Sequence, residues 1–246
     1  MSDAALRHAF ELASRGDASA AQIAFYAERL AAGGPSLAAM CGIGRLLVPL
    51  CVAGHNVHGV DSSATAIGIC EARLAARSLT APLFRQPAAE LNLPFRYGAA
   101  FVAGGALQRI VDPTRAFAAL SRLRAHLLAP AVLVVELVIP PEVQHAPGAP
   151  LVEVRTATDA DGAQIVWRSE TRVDVEGRRV ERSNRYEKRE GRAIVAREDE
   201  RSAFTWYTDA EIADLLRSTG FADVDVMSPS WSDVEGEQRI VAIARM

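Results

Sequence analysis

Cysteine is scarce, with only Cys41, Cys51 and Cys70 in 246 residues. An odd number of thiols in or beside apolar runs argues against a disulfide framework and for reduced thiols in the cytoplasm. No Cys/His group has the spacing of a zinc site, so no metal is expected. No apolar run approaches the roughly 20 residues that span a bilayer, and the N-terminal stretch lacks the basic-then-apolar form of a signal peptide. There is no basic surplus either. A net charge of −3 gives no electrostatic case for nucleic acid. Internal repeats and low-complexity segments are missing. What remains, 50% hydrophobic and 23% charged residues, fits one large α/β domain, or a core with a subdomain, that buries its core without staples.

The most informative stretch runs from Ser36 to Asp61. It reads as strand, glycine turn, helix and second strand, with an acid at that strand's tip. Gly42 and Gly44 let the backbone turn after the apolar run Leu37 to Met40. Arg45 to Val52 suits a helix with one buried face, and Gly54 stops it. Val57 to Val60 is a short strand that Asp61 ends. Such a turn points N–H groups and a helix N-terminus at a ligand, and the acid can accept hydrogen bonds from ribose hydroxyls. The plain alternative is a strand–turn–helix in which Asp61 caps the following helix. A dinucleotide fingerprint would need a third small residue where Leu47 stands, which argues against NAD.

The remaining segments extend this pattern. Helices are expected over Ala4 to Ser14 and, capped by Asp17 or Ser19, through about Ala32, where Gly33-Gly34-Pro35 leads into the first strand. Ser62 or Ser63 can cap a helix from Ala64 to Arg77. Ala81 to Arg85 and Tyr97 to Ala103 read as strands, the latter followed by Gly104-Gly105-Ala106. Asp112-Pro113 opens a helix from about Thr114 to Leu128. Val132 to Ile139 is a continuous apolar strand, interrupted by Glu136, that suits the middle of a parallel sheet. After the proline-rich loop from Pro140 to Pro150, Leu151 to Thr205 alternates polar and apolar residues between turns at Asp161-Gly162, Glu176-Gly177 and Glu190-Gly191, predicting three or four antiparallel strands. Thr208 and Glu211 form a capping box. The helix they start is closed by Gly220, and strands Phe221 to Val226 and Arg239 to Ala244 follow.

The stretch from Ser36 to Asp61 resembles motif I and its following acid in class I S-adenosylmethionine-dependent methyltransferases. The tail from Phe204 to Val226 resembles small bacterial members that carry a β-rich insertion before it. The resemblance covers nearly the whole chain. It implies an α/β fold: a doubly wound, mostly parallel, seven-stranded Rossmann-like sheet with an antiparallel β insertion. It also implies one domain over 1–246, with N-terminal helices at 1–35, a cofactor-binding core at 36–140, the insertion at 151–205, and a helix and strands at 206–246 completing the sheet.

Carried over residue by residue, the resemblance places Tyr26, Met40, Cys41, Gly42, Gly44, Asp61, Ser62, Gln86, Ala88 and Gly104 at S-adenosylmethionine. It places Gln108, Trp206 and Tyr207 at a small-molecule acceptor. Methyl transfer needs chiefly in-line placement of the acceptor, so no fixed catalytic residue is implied. Four positions depart from the family pattern: Ala38 and Pro87 stand where acids touch the cofactor, Met40 replaces a glycine, and Gly98 replaces an acid. Losing two charge-assisted hydrogen bonds weakens cofactor binding by about two orders of magnitude. The alternative function is therefore a degenerate relative with weak or no cofactor binding, acting as a partner subunit or in another reaction. The apolar strands of the insertion could pair across a homodimer. Neither nucleic acid nor membrane is expected as a partner.

Overall fold

The computed structural model describes residues 5–30, 34–139, 150–231 and 238–246. Two helices come first, α1 (Ala5–Arg15) and α2 (Ala20–Ala27). The core alternates strands and helices: β1 (Ser36–Ala39), α3 (Leu47–Val52), β2 (Val57–Asp61), α4 (Ala64–Ala75), β3 (Leu83–Arg85), β4 (Tyr97–Val102), α5 (Pro113–Ala125) and β5 (Leu127–Ile139). Four long strands follow, β6 (Leu151–Thr158), β7 (Gln164–Asp174), β8 (Arg179–Glu190) and β9 (Ala193–Phe204). The described chain closes with α6 (Asp209–Ser218), β10 (Asp223–Met227) and β11 (Gln238–Arg245).

Seven strands form one sheet in the order β10-β11-β5-β4-β1-β2-β3, and β6 to β9 form a second sheet in sequence order. In the first sheet β3, β2, β1, β4 and β5 run parallel. β11 is antiparallel to both β5 and β10. The strand order reverses direction at β1, whose neighbours are β2 and β4. The crevice outside the carboxyl ends of these strands is where such sheets bind ligands.

The two faces of the seven-stranded sheet are separately filled. Leu37, Ala100, Leu133 and Val135 pack with Leu120, Leu123 and Leu216. Ala38, Phe101, Val134 and Val241 pack with Phe25, Tyr26, Leu47 and Trp231. The second sheet packs on α1, where Phe10 meets Trp167 and Tyr186 at ring-centroid distances of 5.7 and 5.9 Å. This is the expected architecture, with the antiparallel region as four strands.

Several boundaries move, each for a local reason. α3 begins at Leu47 rather than Arg45, because Arg45 is drawn back to the Gly16 carbonyl at 2.6 Å. Pro49 then lies in a first turn that needs no donor. Ser19, not Asp17, caps α2, while Asp17 pairs with Arg73 and Arg77. α5 stops at Ala125 because β5 starts at Leu127, pairing with Tyr97 before a register shift. β3 starts at Leu83, two residues late. The second helix stops at Ala27, with Glu28 as its C-cap, short of the expected end near Ala32; residues 31–33, the proline-rich loop at 140–149 and Ala4 lie outside the described residues. Among the described residues no helix is long and apolar enough to cross a membrane.

The capping box is present: Thr208 Oγ1 accepts from the Glu211 N–H at 3.3 Å, and Glu211 accepts from the Thr208 N–H at 2.8 Å. Glu211 also pairs with Arg178 of the second sheet's β7–β8 turn. Replacing Thr208 with Ala is expected to cost about 1 kcal/mol, read as a lower urea midpoint. An unchanged midpoint would show that packing alone holds α6.

Candidate active site

The turn after β1 keeps the motif's backbone even where the sequence departs from it. Met40, Gly42 and Gly44 have φ of +54°, +54° and +76°. Met40 thus takes the left-handed conformation of a glycine, at a cost of about 1–2 kcal/mol, and packs its side chain against the core. A Cβ on Gly44 would lie 2.5 Å from Cys70 Sγ, whereas one on Gly42 would meet nothing within 4 Å. The turn is therefore packed below and open at Gly42.

Asp61 braces this turn. Its Oδ2 accepts from the Gly42 N–H at 2.8 Å and its Oδ1 from the Ser63 N–H at 2.9 Å. Each oxygen keeps a lone pair for a ligand hydroxyl. Asp61 is not the cap of α4: Ser63 is, accepting from the Ala66 N–H at 3.1 Å. Ser62 is exposed beside it. Leu47, too bulky for a dinucleotide motif, fits because the glycine is on the opposing strand. A Cβ on Gly59 would lie 2.7 Å from Leu47 Cδ1 and 2.6 Å from Leu83 Cδ2.

Below the turn Cys41 and Cys70 share a hydrogen bond, which pushes the Cys41 thiol well above its usual pKa, helped by burial, and lowers that of Cys70. Gln86 lies beyond β3 with its amide folded onto Asn92, accepting at 2.8 Å and donating at 3.2 Å. Ala88 is buried in the short 3-10 turn that follows.

At the end of β4, a Cβ on Gly104 would also meet open space. Gln108 is buried and its amide is engaged by backbone. It donates to the Val138 and Thr205 carbonyls at 2.8 and 2.9 Å and accepts from the Val138 N–H at 2.7 Å. This ties the end of β5 to the exit of the second sheet and holds the half-buried Trp206 and Tyr207 nearby. Burial, then the charge of Glu211, raises the pKa of Tyr207.

Beside Arg109, α1 presents Glu11. Burial opposes its charge, but the His8 ring 3.7 Å away and the charges of Arg45 and Arg109 outweigh this and lower its pKa to about 2.

Tyr26, which the resemblance places at the cofactor, is fully buried, and so is its hydroxyl. Its ring packs at a tilt against Phe101, centroids 5.1 Å apart, and its hydroxyl donates to Glu136 Oε2 at 3.1 Å. Glu136 is the residue that sequence reading passes over. The same Oε2 accepts from Gln22 Nε2 at 2.9 Å and the Gly104 N–H at 3.1 Å. Oε1 accepts from Trp231 Nε1 at 3.4 Å and from Arg239. Glu136 is 0% exposed. Burial, then the Glu136 charge, pushes the Tyr26 pKa well above its usual value, so Tyr26 stays a donor. The available signal was a lone acid inside an apolar strand, since acids are almost never fully buried unless paired. Among the described residues no group of three His, Cys, Asp or Glu could hold a metal.

Two expectations follow for the motif. Gly42→Ala should cost about 1–2 kcal/mol, the left-handed penalty alone, while Gly44→Ala adds the clash with Cys70 for about 2 kcal/mol or more. Equal urea midpoints for the two variants would refute the assignment of open and packed sides. Ala38 is 1% exposed in the cluster that holds Tyr26 and Phe101. Ala38→Asp should therefore destabilise by about 3 kcal/mol or more through a buried, unpaired charge; a mutant as stable as wild type would show room for an acid.

No family model matches the chain, and no curated protein matches it in sequence. Solved structures do. An S-adenosylmethionine-dependent methyltransferase from Clostridium acetobutylicum superposes with a TM-score of 0.77 at 18% identity, over 98% of this chain and 97% of that one. Streptomyces venezuelae DesVI gives a TM-score of 0.76 at 19% identity over 98% of each chain. CalS10, an amino pentose methyltransferase from Micromonospora echinaspora solved with S-adenosylmethionine bound, gives 0.70 at 19% identity over 95% of this chain and 94% of that one. The chain has the Rossmann-like fold of these class I methyltransferases over nearly its whole length.

Proposed function

We propose that the protein is an S-adenosylmethionine-dependent methyltransferase acting on a small-molecule acceptor. The observation that carries this is the turn at Met40, Gly42 and Gly44, held in left-handed geometry and braced by Asp61 at the switch point of the sheet. The residues fit the cofactor where it can be tested: Asp61 retains acceptor capacity, and open space lies at Gly42 and Gly104. Asp61 would take the ribose hydroxyls, Gln86 and Ala88 would flank the adenine, and the Gly42–Gly44 turn would approach the methionine end. When bound, S-adenosylmethionine supplies an electrophilic methyl group on a sulfonium sulfur.

The chain's own part is placement. Trp206 and Tyr207, held beside the β4 loop by Gln108, would wall the acceptor and exclude water. We further propose a small polar amine as acceptor, which needs a free lone pair rather than a fixed base. The amino pentose named for CalS10 and the sugar N-methyltransferase KedS8 support this class. The division into N-terminal helices, core, second sheet and tail belongs to the same reading as one domain. So do a cytoplasmic location, supported by three free thiols, and pairing of two copies through the second sheet, supported by Val152 and Val154 exposed on its edge strand.

A second reading, the weak or non-binding relative, is favoured by Ala38 packed into the core and by Gln86 folded onto Asn92. Titration calorimetry with S-adenosylmethionine and S-adenosylhomocysteine separates the two. Binding of either is expected, and Asp61→Ala should weaken it at least ~10-fold, since hydrogen bonds to a carboxylate contribute about 1.5–3 kcal/mol. Wild-type protein that binds neither ligand overturns the methyltransferase reading. Unchanged affinity in a folded Asp61→Ala protein removes Asp61 from the site.

A further inference from the structure

Two thiols lie beneath the first turn, where methyl transfer has no use for their sulfurs. Cys41 follows Met40 in the turn and is half-buried, while Cys70 is fully buried in the middle of α4. Glycines make the room for both sulfurs. A Cβ on Gly44 would lie 2.5 Å from Cys70 Sγ, and one on Gly59 would lie 3.0 Å from Cys41 Sγ. The two sulfurs meet in this space and share a hydrogen bond. Cys51, the third thiol, is turned instead toward the Val57 carbonyl at 3.9 Å.

The pair is chemically uneven. The hydrogen bond from Cys41 favours a Cys70 thiolate against burial, and the charge of Arg73 adds to this. Cys41 keeps its proton, held by the same hydrogen bond and by burial. The thiolate is the nucleophile in sulfur chemistry, and a second thiol in contact with it can resolve an oxidised sulfur into a disulfide. A small oxidant has a way in, because a Cβ on Gly42, next to Cys41, would meet nothing within 4 Å. The pair is also tied to the cofactor turn. Cys41 Sγ lies 3.7 Å from the Gly42 carbonyl oxygen. Asp61 accepts from the Gly42 N–H in the turn and from the Ser63 N–H at the start of α4. Bonded sulfurs stand closer than hydrogen-bonded ones, so joining Cys41 to Cys70 draws the turn toward α4 and moves the Gly42 amide against Asp61.

We propose that Cys41 and Cys70 are a redox pair that hydrogen peroxide converts to a disulfide and a thiol reductant reopens, and that the closed form weakens cofactor binding, an effect that rests on the methyltransferase reading above. The Cys70 sulfur attacks one peroxide oxygen, the O–O bond breaks, and the departing hydroxide leaves as water with the Cys70 thiol proton. Cys70 is then a sulfenic acid. The Cys41 sulfur attacks the Cys70 sulfur, the S–O bond breaks, and the hydroxyl leaves as a second water with the Cys41 proton. Two thiols are oxidised and one peroxide is reduced, giving one disulfide and two waters.

The full-length protein, reduced and freed of reductant, would be treated with hydrogen peroxide and mapped by peptide mass spectrometry beside Cys51→Ala and Cys70→Ala. Wild type and Cys51→Ala are expected to give a Cys41–Cys70 crosslinked peptide that dithiothreitol removes. Calorimetry with S-adenosylhomocysteine is expected to show affinity about tenfold or more lower after oxidation and restored by dithiothreitol. Peroxide should change the affinity of Cys70→Ala by less than about threefold, which separates the crosslink from oxidation of Met40. If Cys70→Ala does not fold, reversal of the wild-type loss by dithiothreitol makes the same separation, since methionine sulfoxide needs its own reductases. Thiols left uncrosslinked after peroxide, a crosslink to Cys51 instead, or a Cys41–Cys70 crosslink that leaves affinity unchanged overturns the proposal while leaving the methyltransferase reading intact. Reduced wild-type protein that binds no S-adenosylhomocysteine overturns that reading, and the effect on binding with it.

Discussion

A carboxylate at 0% exposure has to be neutralised or fully paired, and Glu136 is paired by five donors. Removing water from an acid and a guanidinium costs several kcal/mol per ion, and their attraction offsets this only if the remaining hydrogen-bonding capacity is satisfied. The constraint therefore propagates outward. Arg239 must enter from β11, which fixes the antiparallel edge of the sheet against β5. Trp231 must reach in before that strand begins. Gln22 and Tyr26 must point inward from α2, which seats that helix over the carboxyl ends of β4 and β5. The Gly104 backbone must turn its N–H toward the same oxygen. One buried charge thereby orders the N-terminal helix, the central crevice and the C-terminal strand together.

A second constraint acts on the other side of β1. Met40 adopts the conformation its position demands despite the cost to an L-residue, because the turn is held from three directions. Asp61 accepts the Gly42 N–H, the Cys41 N–H continues the pairing to Val60 at 3.0 Å, and Gly44 sits against Cys70 and Val48. Backbone geometry is over-determined there, so side-chain identity at one position can drift without altering the shape. The helix–strand contact behaves similarly. The space that a small helix residue would leave comes instead from Gly59 on the strand, and Leu47 fills it.

The second sheet is joined to the core at few but specific points. Gln108 bridges the β5 end and Thr205, Arg178 meets Glu211, and α1 lies under Trp167 and Tyr186. Its solvent face carries cross-strand pairs such as Arg185–Asp199 and Glu187–Arg197. Such exposed pairs add little stability each, so the apolar contacts with α1 and the buried amide of Gln108 hold this sheet in place.

The sequence by itself determined the elements. Apolar runs in β1, β4 and β5, alternation in β6 to β9, the capping box at Thr208, and the glycines of the first turn are local signals, set by neighbours a few residues away, and they suffice for the strands and helices, while the seven-stranded sheet was what the family resemblance implied. It also pointed to Asp61 at a strand tip. What it left open was how side chains are used. Asp61 and Ser63 both fit a cap, and only the backbone path shows that Ser63 takes it while Asp61 braces the turn. Gln108 reads as a polar residue at a crevice, but its amide is consumed by Val138 and Thr205. Glu136 reads as an interruption in a strand, because its side-chain partners lie 95 to 114 residues away in the chain. Periodicity carries no information over such distances. Burial and hydrogen bonding are properties of the packed molecule, and only the tertiary structure could convert a lone acid into the centre of a network.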